Sequence, residues 1–464
     1  MTPAPALEQQ RPVAREIRRL TALATPAALT QLSSMLLWTV DVLMVGRVGV
    51  DALNAVSLGR LWIMGTGVIG MGFVFGLDAL ASQAHGARDR ARLGDALLHG
   101  SALALLLSIP LGALLFGTER VLLAFGQTPA LAAAAHSFVV VQIPSLPFFL
   151  LFIALKQYLQ ARGIVRPALW VSVLGNGVNA GLNWLLIYGH WGFPRLGVVG
   201  TGISTAITEV FMALALIAVM RFHRLQRGAD TVLDPLRVRW RGLAEIAGLG
   251  APVALQYALE YWAFALATLW AGRLGAVQLA AHSIALNLAS IAYMVPLGIA
   301  SATVARVGNQ IGAGDRRGAE RSAWVAFGLG AAVMGAFALL FVVGRRAIPA
   351  LYTGDAAVIA AAAGLLPIAA AFELFDGLQC VGGGILRGMG RTRPAAVFNL
   401  IGYYVLAMPL AGYLGAPERL GLQGIWWGLA LGLALVALFL VLWIWRRGPA
   451  TAVSLVGDSG RRSG

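Results

Sequence analysis

The sequence has few charged residues and a single cysteine, and each shortage excludes a class of protein. Only 12% of the 464 residues are charged, against about a quarter in a typical soluble domain. The one cysteine, Cys380, has no intrachain partner, so neither a disulfide framework nor a thiolate metal cluster can form. The sequence contains no H-E-x-x-H, G-x-S-x-G or P-loop pattern for hydrolysis or ATP use. No cofactor is expected, and energy has to come from an ion gradient.

In place of charge, the sequence has a series of long apolar runs. Hydrophobic residues make up 59% of the chain, and runs of about 20 apolar residues are long enough to cross a bilayer. Twelve such spans are predicted, centred near residues 34, 69, 106, 148, 177, 210, 259, 292, 331, 372, 404 and 435. The predicted fold class is therefore an all-α integral membrane protein with the lipid bilayer as its main partner.

The basic residues follow the predicted loops. Of 35 lysines and arginines, 25 lie on alternate connections that include both termini, and seven lie on the opposite loops. By the positive-inside rule both termini are cytoplasmic, which agrees with the even number of spans. The net charge of +15 thus reflects topology and not a nucleic-acid partner. The first apolar run has no processing site and is interpreted as a retained span of a plasma (inner) membrane protein.

The two halves of the chain resemble each other. An offset of 226 residues pairs Pro26 with Pro252, Gly72 with Gly298, and Gly86-Ala-Arg-Asp-Arg90 with Gly312-Ala-Gly-Asp-Arg316. Because each copy has six spans, both insert in the same direction, as in alternating-access transporters built around a central cavity. The predicted organisation is a cytoplasmic N-terminal segment (1–20), an N-lobe (21–221), a cytoplasmic linker (222–243), a C-lobe (244–447) and a disordered cytoplasmic tail (448–464).

Three acidic residues, Asp41, Glu260 and Asp376, lie near the middle of predicted spans. A carboxylate at the bilayer centre costs roughly 2.5–3.5 kcal/mol, so such residues usually face a cavity and bind protons, metal ions or a cationic substrate. The alternative is that they hold helices together. The offset does not pair the three with one another, so each arose in one lobe only. We expect the C-lobe pair, Glu260 and Asp376, to be the coupling site.

The seventh span places Gln256 and Glu260 one turn apart on one helical face, with Tyr257 and Tyr261 adjacent. A carboxylate flanked by aromatic rings can hold an organic cation by charge and by cation–π contact, worth about 2 kcal/mol when desolvated. Aromatic residues often serve as membrane-interface anchors, but a position near mid-span disfavours that explanation here.

The tenth span carries Glu373, Asp376 and Gln379 on one polar stripe. Two carboxylates so close in a poorly solvated site do not readily both ionise. Such a site can exchange H⁺ or Na⁺ for a cationic substrate, with Glu260 and Asp376 as the expected Na⁺ ligands. The alternative for Glu373 is that it faces a neighbouring helix or a water pocket.

Other polar residues in the spans give weaker evidence of a role in binding or coupling. Asn179 and Asn183 lie one turn apart on the fifth span and are typical of hydrogen bonds between helices as well as of ligands, and Glu209 lies in the sixth span without an assigned role. Asp78 and Lys156 are interpreted as capping or snorkelling residues. Pro26 and Pro252 bend the equivalent helices that carry Asp41 and Glu260, so they are candidate hinges.

Five stretches together resemble the multidrug and toxic compound extrusion (MATE) family: Val40-Asp41-Val-Leu-Met-Val-Gly46, Asp78-Ala-Leu-Ala-Ser-Gln-Ala-His-Gly-Ala87, Leu259-Glu260-Tyr-Trp262, Ala280-Ala-His282-x-x-Ala-Leu-Asn287, and Phe375-Asp376-Gly-Leu-Gln379 with Leu386-Arg-Gly388. The resemblance covers all twelve spans. It implies antiport of amphipathic organic cations against H⁺ or Na⁺ by alternating access between two six-helix lobes, and we expect a monomer.

The resemblance is closer to the NorM type than to the DinF type. NorM-type members have acidic residues that match Asp41, Glu260 and Asp376, whereas DinF-type members have a second aspartate where this chain has Asn183. Phe372 replaces the tyrosine that some NorM-type members carry one turn before Asp376, so their Na⁺ coordination is not carried over. Two alternatives remain: a flippase for lipid-linked saccharides, for which Lys156 is the main intramembrane cation, and a membrane-embedded lipid enzyme.

Overall fold

The computed structural model describes residues 5–225 and 237–456, and the long elements in these ranges are helices. The first six form the N-lobe: α1 (Pro5–Gly46), α2 (Val50–Gly86), α3 (Arg90–Phe116), α4 (Pro129–Ala161), α5 (Arg166–Tyr188) and α6 (Gly197–Phe222). The next six form the C-lobe: α7 (Trp240–Arg273), α8 (Ala276–Gly312), α9 (Arg316–Val343), α10 (Ala356–Gly388), α11 (Arg393–Leu414) and α12 (Gly421–Arg447). The predicted fold class is confirmed.

Three of these helices are interrupted. Helix α2 consists of Val50–Val74 and Leu77–Gly86, and α4 is broken by a 3₁₀ turn at Ile143–Ser145. Prolines 144 and 147 explain the second break, because a proline inside a helix removes a hydrogen bond and clashes with the preceding turn. The middle of α11, Leu400–Ala407, is a π-helix. Segments of this kind are often found at functional sites.

The number of spans is not fully confirmed. Eleven of the described helices are long and apolar enough to cross a membrane by length and composition, and α5 is not among them. Helix α5 has 23 residues, but it carries Asn176, Asn179 and Asn183, whose amides lower its mean hydropathy. It nevertheless packs along α1 and α6 within the N-lobe.

The internal repeat is visible in equivalent local structures. Gly49 and Gly275 have φ values of 154° and 117° and stand at the starts of α2 and α8, where L side chains are unfavourable. Asp89 and Asp315 cap α3 and α9, since their carboxylates accept hydrogen bonds from the backbone N–H groups of Arg92 (2.9 Å) and Gly318 (2.8 Å). Both pairs are separated by 226 residues, so the repeat read from the sequence is structural.

The lobes cross at two equivalent glycines. Ala28 of α1 packs on Gly298 of α8, and Ala254 of α7 packs on Gly72 of α2, with no room for a side chain at either glycine. Small residues let helix backbones approach closely where lipid supplies no hydrophobic drive for packing. Pro26 and Pro252 each lie two residues before one of these alanines, so both candidate hinges adjoin a contact between the lobes. Their role as hinges stays a prediction.

Close contacts continue toward the end of the bundle where α1 begins and α12 ends, which we call the terminal end. There Gly86 packs on the backbone of Asn309, and the equivalent Gly312 packs on the backbone of Gln83. Ser82 faces Gly308, its own repeat equivalent, so the pseudo-twofold axis passes between them. The lobes are therefore in direct backbone contact at the terminal end.

We predict opposite effects for alanine at packed and open glycines. Gly72→Ala and Gly298→Ala should each lower thermal stability in detergent, because the added methyl group meets backbone atoms of the other lobe. Gly328→Ala in α9 is the control, since a Cβ there meets nothing within 4 Å. It should raise the free energy of unfolding by about 0.5–1 kcal/mol through the better helix propensity of alanine. Equal effects at all three positions would contradict the packing described here.

The predicted boundary between an N-terminal segment and the N-lobe does not correspond to a structural break. Helix α1 runs without interruption from Pro5, and its turns from Glu16 onward pack on the C-lobe. Glu16 accepts two hydrogen bonds of 2.8 Å from the guanidinium of Arg306 in α8, and Leu20 is fully buried in a C-lobe cluster. Half of the predicted linker, residues 226–236, lies outside the described residues.

Residues 448–456, part of the predicted disordered tail, fold back on the bundle instead. A 3₁₀ turn, Pro449–Thr451, follows α12, and Ala452 and Val456 are buried. The tail was predicted to be disordered because of its small and polar residues. Its few apolar side chains are nevertheless buried at the terminal end. The rest of the predicted tail, 457–464, lies outside the described residues.

Candidate functional site

The C-lobe contains a buried polar network centred on Glu260. The carboxylate of Glu260 accepts a hydrogen bond of 3.0 Å from Nε2 of Gln379, and the same nitrogen donates to Oδ1 of Asn399 at 2.8 Å. Tyr403 points its hydroxyl at Oε1 of Gln379 at 3.5 Å. Helices α7, α10 and α11 thus converge here, and Asn399 and Tyr403 lie at the start of the π-helix or within it.

Asp376 and Glu373 lie beside this network on α10. Asp376 is 4% exposed and interacts electrostatically with both Glu260 and Glu373. Glu373 is fully buried, and neither of its carboxylate oxygens has a hydrogen-bond partner among the described residues. None of the three carboxylates forms an ion pair with a lysine or arginine in the described ranges. The C-lobe therefore holds three acids without a protein cation.

Protein carboxylates alone do not provide enough ligands for a metal ion at this site. Within residues 5–225 and 237–456, no group of three or more His, Cys, Asp or Glu side chains is placed to hold a metal ion. A Na⁺ ion at Glu260 and Asp376 would need neutral oxygens as well, and the side-chain carbonyls of Gln379 and Asn399 are of the right chemical type. The expected Na⁺ ligation stays a prediction.

The remaining candidates on α7 lie in different places. Gln256 is buried with its amide against Gly383 of α10, on the C-lobe side with Glu260. Tyr257 instead packs edge-on against Phe75 of the N-lobe, with ring centroids 5.6 Å apart. The hydroxyl of Tyr261 donates to the backbone oxygen of Leu61 in α2 at 2.9 Å. Both tyrosines therefore join the lobes, and Tyr257 also interacts electrostatically with Glu260.

Asp41 is the centre of a separate network in the N-lobe, and it is fully buried. Its carboxylate accepts hydrogen bonds from Asn183 of α5 (2.6 Å) and Thr205 of α6 (3.1 Å). It also forms an ion pair of 2.9 Å with Arg60 of α2. The amide of Asn183 additionally donates to Asn179 at 3.0 Å. Four helices are thus joined at one carboxylate, and the two asparagines predicted from the sequence both belong to it.

Arg60 also lines a small cavity inside the N-lobe. The cavity wall includes Trp38, Thr205 and Glu209. One oxygen of Glu209 accepts a hydrogen bond of 2.6 Å from Ser145, which lies in the 3₁₀ turn that breaks α4. Glu209 therefore faces a pocket bordered by the Asp41 network, a placement that its position in the sequence did not reveal.

Asp78 and Lys156 are not capping or snorkelling residues. Asp78 is 3% exposed, accepts a hydrogen bond of 2.9 Å from Gln157, and pairs with Arg387 of the C-lobe at 3.5 Å. Lys156 is 4% exposed, donates to Gln31 at 3.2 Å and interacts electrostatically with Asp78. The interpretation was wrong because it treated each helix alone, whereas the neighbouring helices enclose both side chains.

Sequence reasoning missed Arg60, Thr205 and Asn399 as members of the two networks. Arg60 carried a usable signal, since an arginine well inside an apolar span needs an acidic partner, and Asp41 near the middle of the preceding span is a candidate for that partner. Thr205 and Asn399 carried none, because single hydroxyl and amide groups are common in membrane helices as links between neighbours.

Two six-helix lobes related by a parallel repeat, each with buried carboxylates, define the architecture of a secondary membrane transporter. Comparison with known proteins agrees: the sequence profile of the MatE family matches residues 26–185 and 252–413. The chain therefore belongs to the MatE family of transporters and is not an enzyme.

The relatives of the chain include proteins of the NorM type, as the sequence predicts. The multidrug resistance protein NorM of Burkholderia vietnamiensis is 38% identical over 430 residues, which are 91% of this chain and 92% of that protein. Multidrug and toxin extrusion protein 1 of Mus musculus is 33% identical over 420 residues, covering 90% and 72%. The fold matches the crystal structure of the eukaryotic MATE transporter AtDTX14 with a TM-score of 0.87 at 24% identity, covering 95% and 99% of the two chains.

Proposed function

We propose that this protein exports amphipathic organic cations in exchange for H⁺ or Na⁺. One observation carries the proposal: Glu260, Asp376 and Glu373 lie together in the C-lobe, buried and without a protein cation among the described residues. Charges buried in this way are costly unless they are compensated. A proton, a Na⁺ ion or a cationic substrate supplies that compensation, and competition between them couples their movements. Asp41 already has Arg60 as its partner, so the C-lobe is the stronger coupling site.

The arrangement of the lobes supports alternating access. The backbone crossings at Gly72 and Gly298, and the ion pairs Asp78–Arg387 and Glu16–Arg306, hold the lobes together along the terminal half. We propose that the terminal end faces the cytoplasm, as the distribution of basic residues predicts. The structure then corresponds to the state closed toward the cytoplasm, from which a substrate is released outward and an ion is taken up.

The substrate class follows from charge and from the relatives. Their names describe multidrug resistance and toxin extrusion, and an acidic site without a protein cation favours cationic compounds. At 100 mV, each net charge moved supplies about 2.3 kcal/mol, so one or two ions sustain a useful gradient. The protein is proposed to work as a monomer in the plasma membrane.

The described cations argue against a flippase for lipid-linked pyrophosphates. Such a protein needs free cations in its cavity, but Arg60 pairs with Asp41, and Arg387 pairs with Asp78. Lys156, the main candidate from the sequence, also lies beside Asp78. The three cations thus share the carboxylates of Asp41 and Asp78, so they carry one net positive charge between them and not the several that a pyrophosphate requires.

Transport in proteoliposomes tests the proposal. Efflux of an organic cation such as tetraphenylphosphonium should be driven by an inward pH gradient or an inward Na⁺ gradient, at a voltage clamped with valinomycin and K⁺. The gradient that drives efflux identifies the coupling ion. Protein-free liposomes control for leak. If efflux without any gradient equalled efflux with a pH gradient and a Na⁺ gradient imposed together, the antiport mechanism would be overturned.

A further inference from the structure

We propose that residues 449–456 act as a strap that holds the two lobes together at the terminal end. This inference rests on the proposed function, because the closed terminal end is one of the two states that alternating access requires. Three observations carry it: where the segment is buried, what it bonds, and how Gln83 differs from its repeat equivalent Asn309.

The segment is buried in both lobes at once. Ala452 is 1% exposed and belongs to the C-lobe cluster that includes Ile311 and Met389. Leu455 packs on Gly390 just after α10, and it also joins Val456 in a large cluster that the N-lobe helices form with the first half of α7. Within about four residues, the chain therefore passes from the core of the C-lobe to the apolar contact between the lobes.

Polar contacts fix the same crossing. Arg391 of the C-lobe donates to the backbone oxygens of Arg447 (3.3 Å) and Thr451 (3.2 Å), which directs the chain across the bundle. On the N-lobe, the fully buried side chain of Gln83 accepts a hydrogen bond of 2.8 Å from the backbone N–H of Leu455. The amide nitrogen of Gln83 donates to Gly388 of α10 at 3.0 Å. One N-lobe side chain thus holds both the strap and the C-lobe.

The two equivalent residues at the pseudo-twofold axis are bonded differently. Gln83 and Asn309 are these residues, and each packs its backbone on a glycine of the other lobe. Gln83 is satisfied by Leu455 and Gly388, whereas the buried Oδ1 of Asn309 has no hydrogen-bond partner among the described residues. The contact between Gln83 and the strap therefore has no counterpart at Asn309 in the part of the chain that the structure describes.

Separation of the lobes at the terminal end has to break these contacts. Gln83 moves with α2, while Gly388 and Arg391 move with the C-lobe, so Leu455 loses either its hydrogen bond to Gln83 or its position on Gly390. A partly buried leucine and one hydrogen bond together correspond to a shift of about tenfold in a two-state ratio, by an order-of-magnitude estimate. The strap then biases the transporter toward the state closed at the terminal end.

Distance measurements between spin labels test the strap. Ala91→Cys at the start of α3 and Arg317→Cys at the start of α9 are exposed, repeat-equivalent positions on the two lobes, and a Cys380→Ser background removes the native thiol. Deletion of residues 449–464 should increase the ratio of long to short distances about tenfold or more. Deletion of residues 457–464 alone is the matched control and should leave the distribution of the full chain unchanged.

Identical distributions for the full chain and the 449–464 deletion would overturn the strap, as would an equal shift from the 457–464 deletion. If the longer deletion does not yield folded protein, Leu455→Asp against Val453→Asp decides the question, because Val453 is 64% exposed. The distances are measured without substrate or gradient. Distances that contradict the strap can therefore be distinguished from results that contradict the proposed transport, since the latter appear only in the efflux assay.

Discussion

Replacement of Glu260 by glutamine, or of Asp376 by asparagine, should reduce exchange of an organic cation for H⁺ or Na⁺ to the level of protein-free liposomes. Each change removes a negative charge from the C-lobe site but keeps the size of the side chain. The amide oxygen introduced at position 260 can still accept the hydrogen bond from Gln379, so the network should remain assembled. Gradient-driven efflux in proteoliposomes measures the effect, and thermal stability shows that folding is retained.

Glu418→Gln is the control for this prediction. Glu418 is exposed between α11 and α12, so its neutralisation should leave exchange unchanged. Normal exchange in both the Glu260 and Asp376 variants would contradict the C-lobe mechanism. Loss of exchange with loss of fold would show a structural role for the carboxylates instead.

Arg60→Met should produce the largest loss of stability among the charged residues considered. It leaves the Asp41 carboxylate fully buried without its cation, and breaking a buried ion pair by removing one partner typically costs about 3–5 kcal/mol. The double variant Asp41→Asn with Arg60→Met should recover much of that loss, because no unpaired charge remains. Thermal unfolding in detergent measures both effects.

The effect of Arg60→Met should also depend on pH. At low pH the Asp41 carboxyl takes up a proton, the uncompensated charge disappears, and the gap between the variant and the parent should narrow. Arg47→Gln is the control, since Arg47 is exposed in the turn after α1. If the Arg60 and Arg47 variants were equally stable at neutral pH, the ion pair would not contribute to the stability of the fold.

Features that depend on regular spacing were accessible from the sequence. The repeat offset of 226 residues predicted two equivalent lobes, and the same offset relates the glycines at their crossings. Helical spacing placed Gln256 and Glu260 on one face of a helix, where both are buried, and it placed Asn179 beside Asn183. These successes share a cause: positions on one helix, or in two copies of one unit, are related by geometry that the chain carries locally.

Contacts between distant helices were not accessible in this way. Asp78 and Arg387 are 309 positions apart, and nothing in either span identifies the other as its partner. Tyr257 and Tyr261 were assigned to Glu260 because they adjoin it in sequence, and the contacts that both make with α2 of the other lobe could not be predicted. The fold-back of residues 449–456 was missed because its apolar residues are too few to form a pattern.

Helix α5 has a consequence for how the protein is made. Its asparagines, which bond to Asp41 and Ser33, leave it outside the helices apolar enough to cross a membrane on their own. The machinery that inserts membrane proteins releases segments into lipid largely according to their hydrophobicity. Helix α5 is therefore expected to enter the bilayer together with α1 and α6, whose polar groups satisfy its amides. The polar centre of the N-lobe is then assembled during biosynthesis, and changes to it affect the yield of inserted protein as well as its activity.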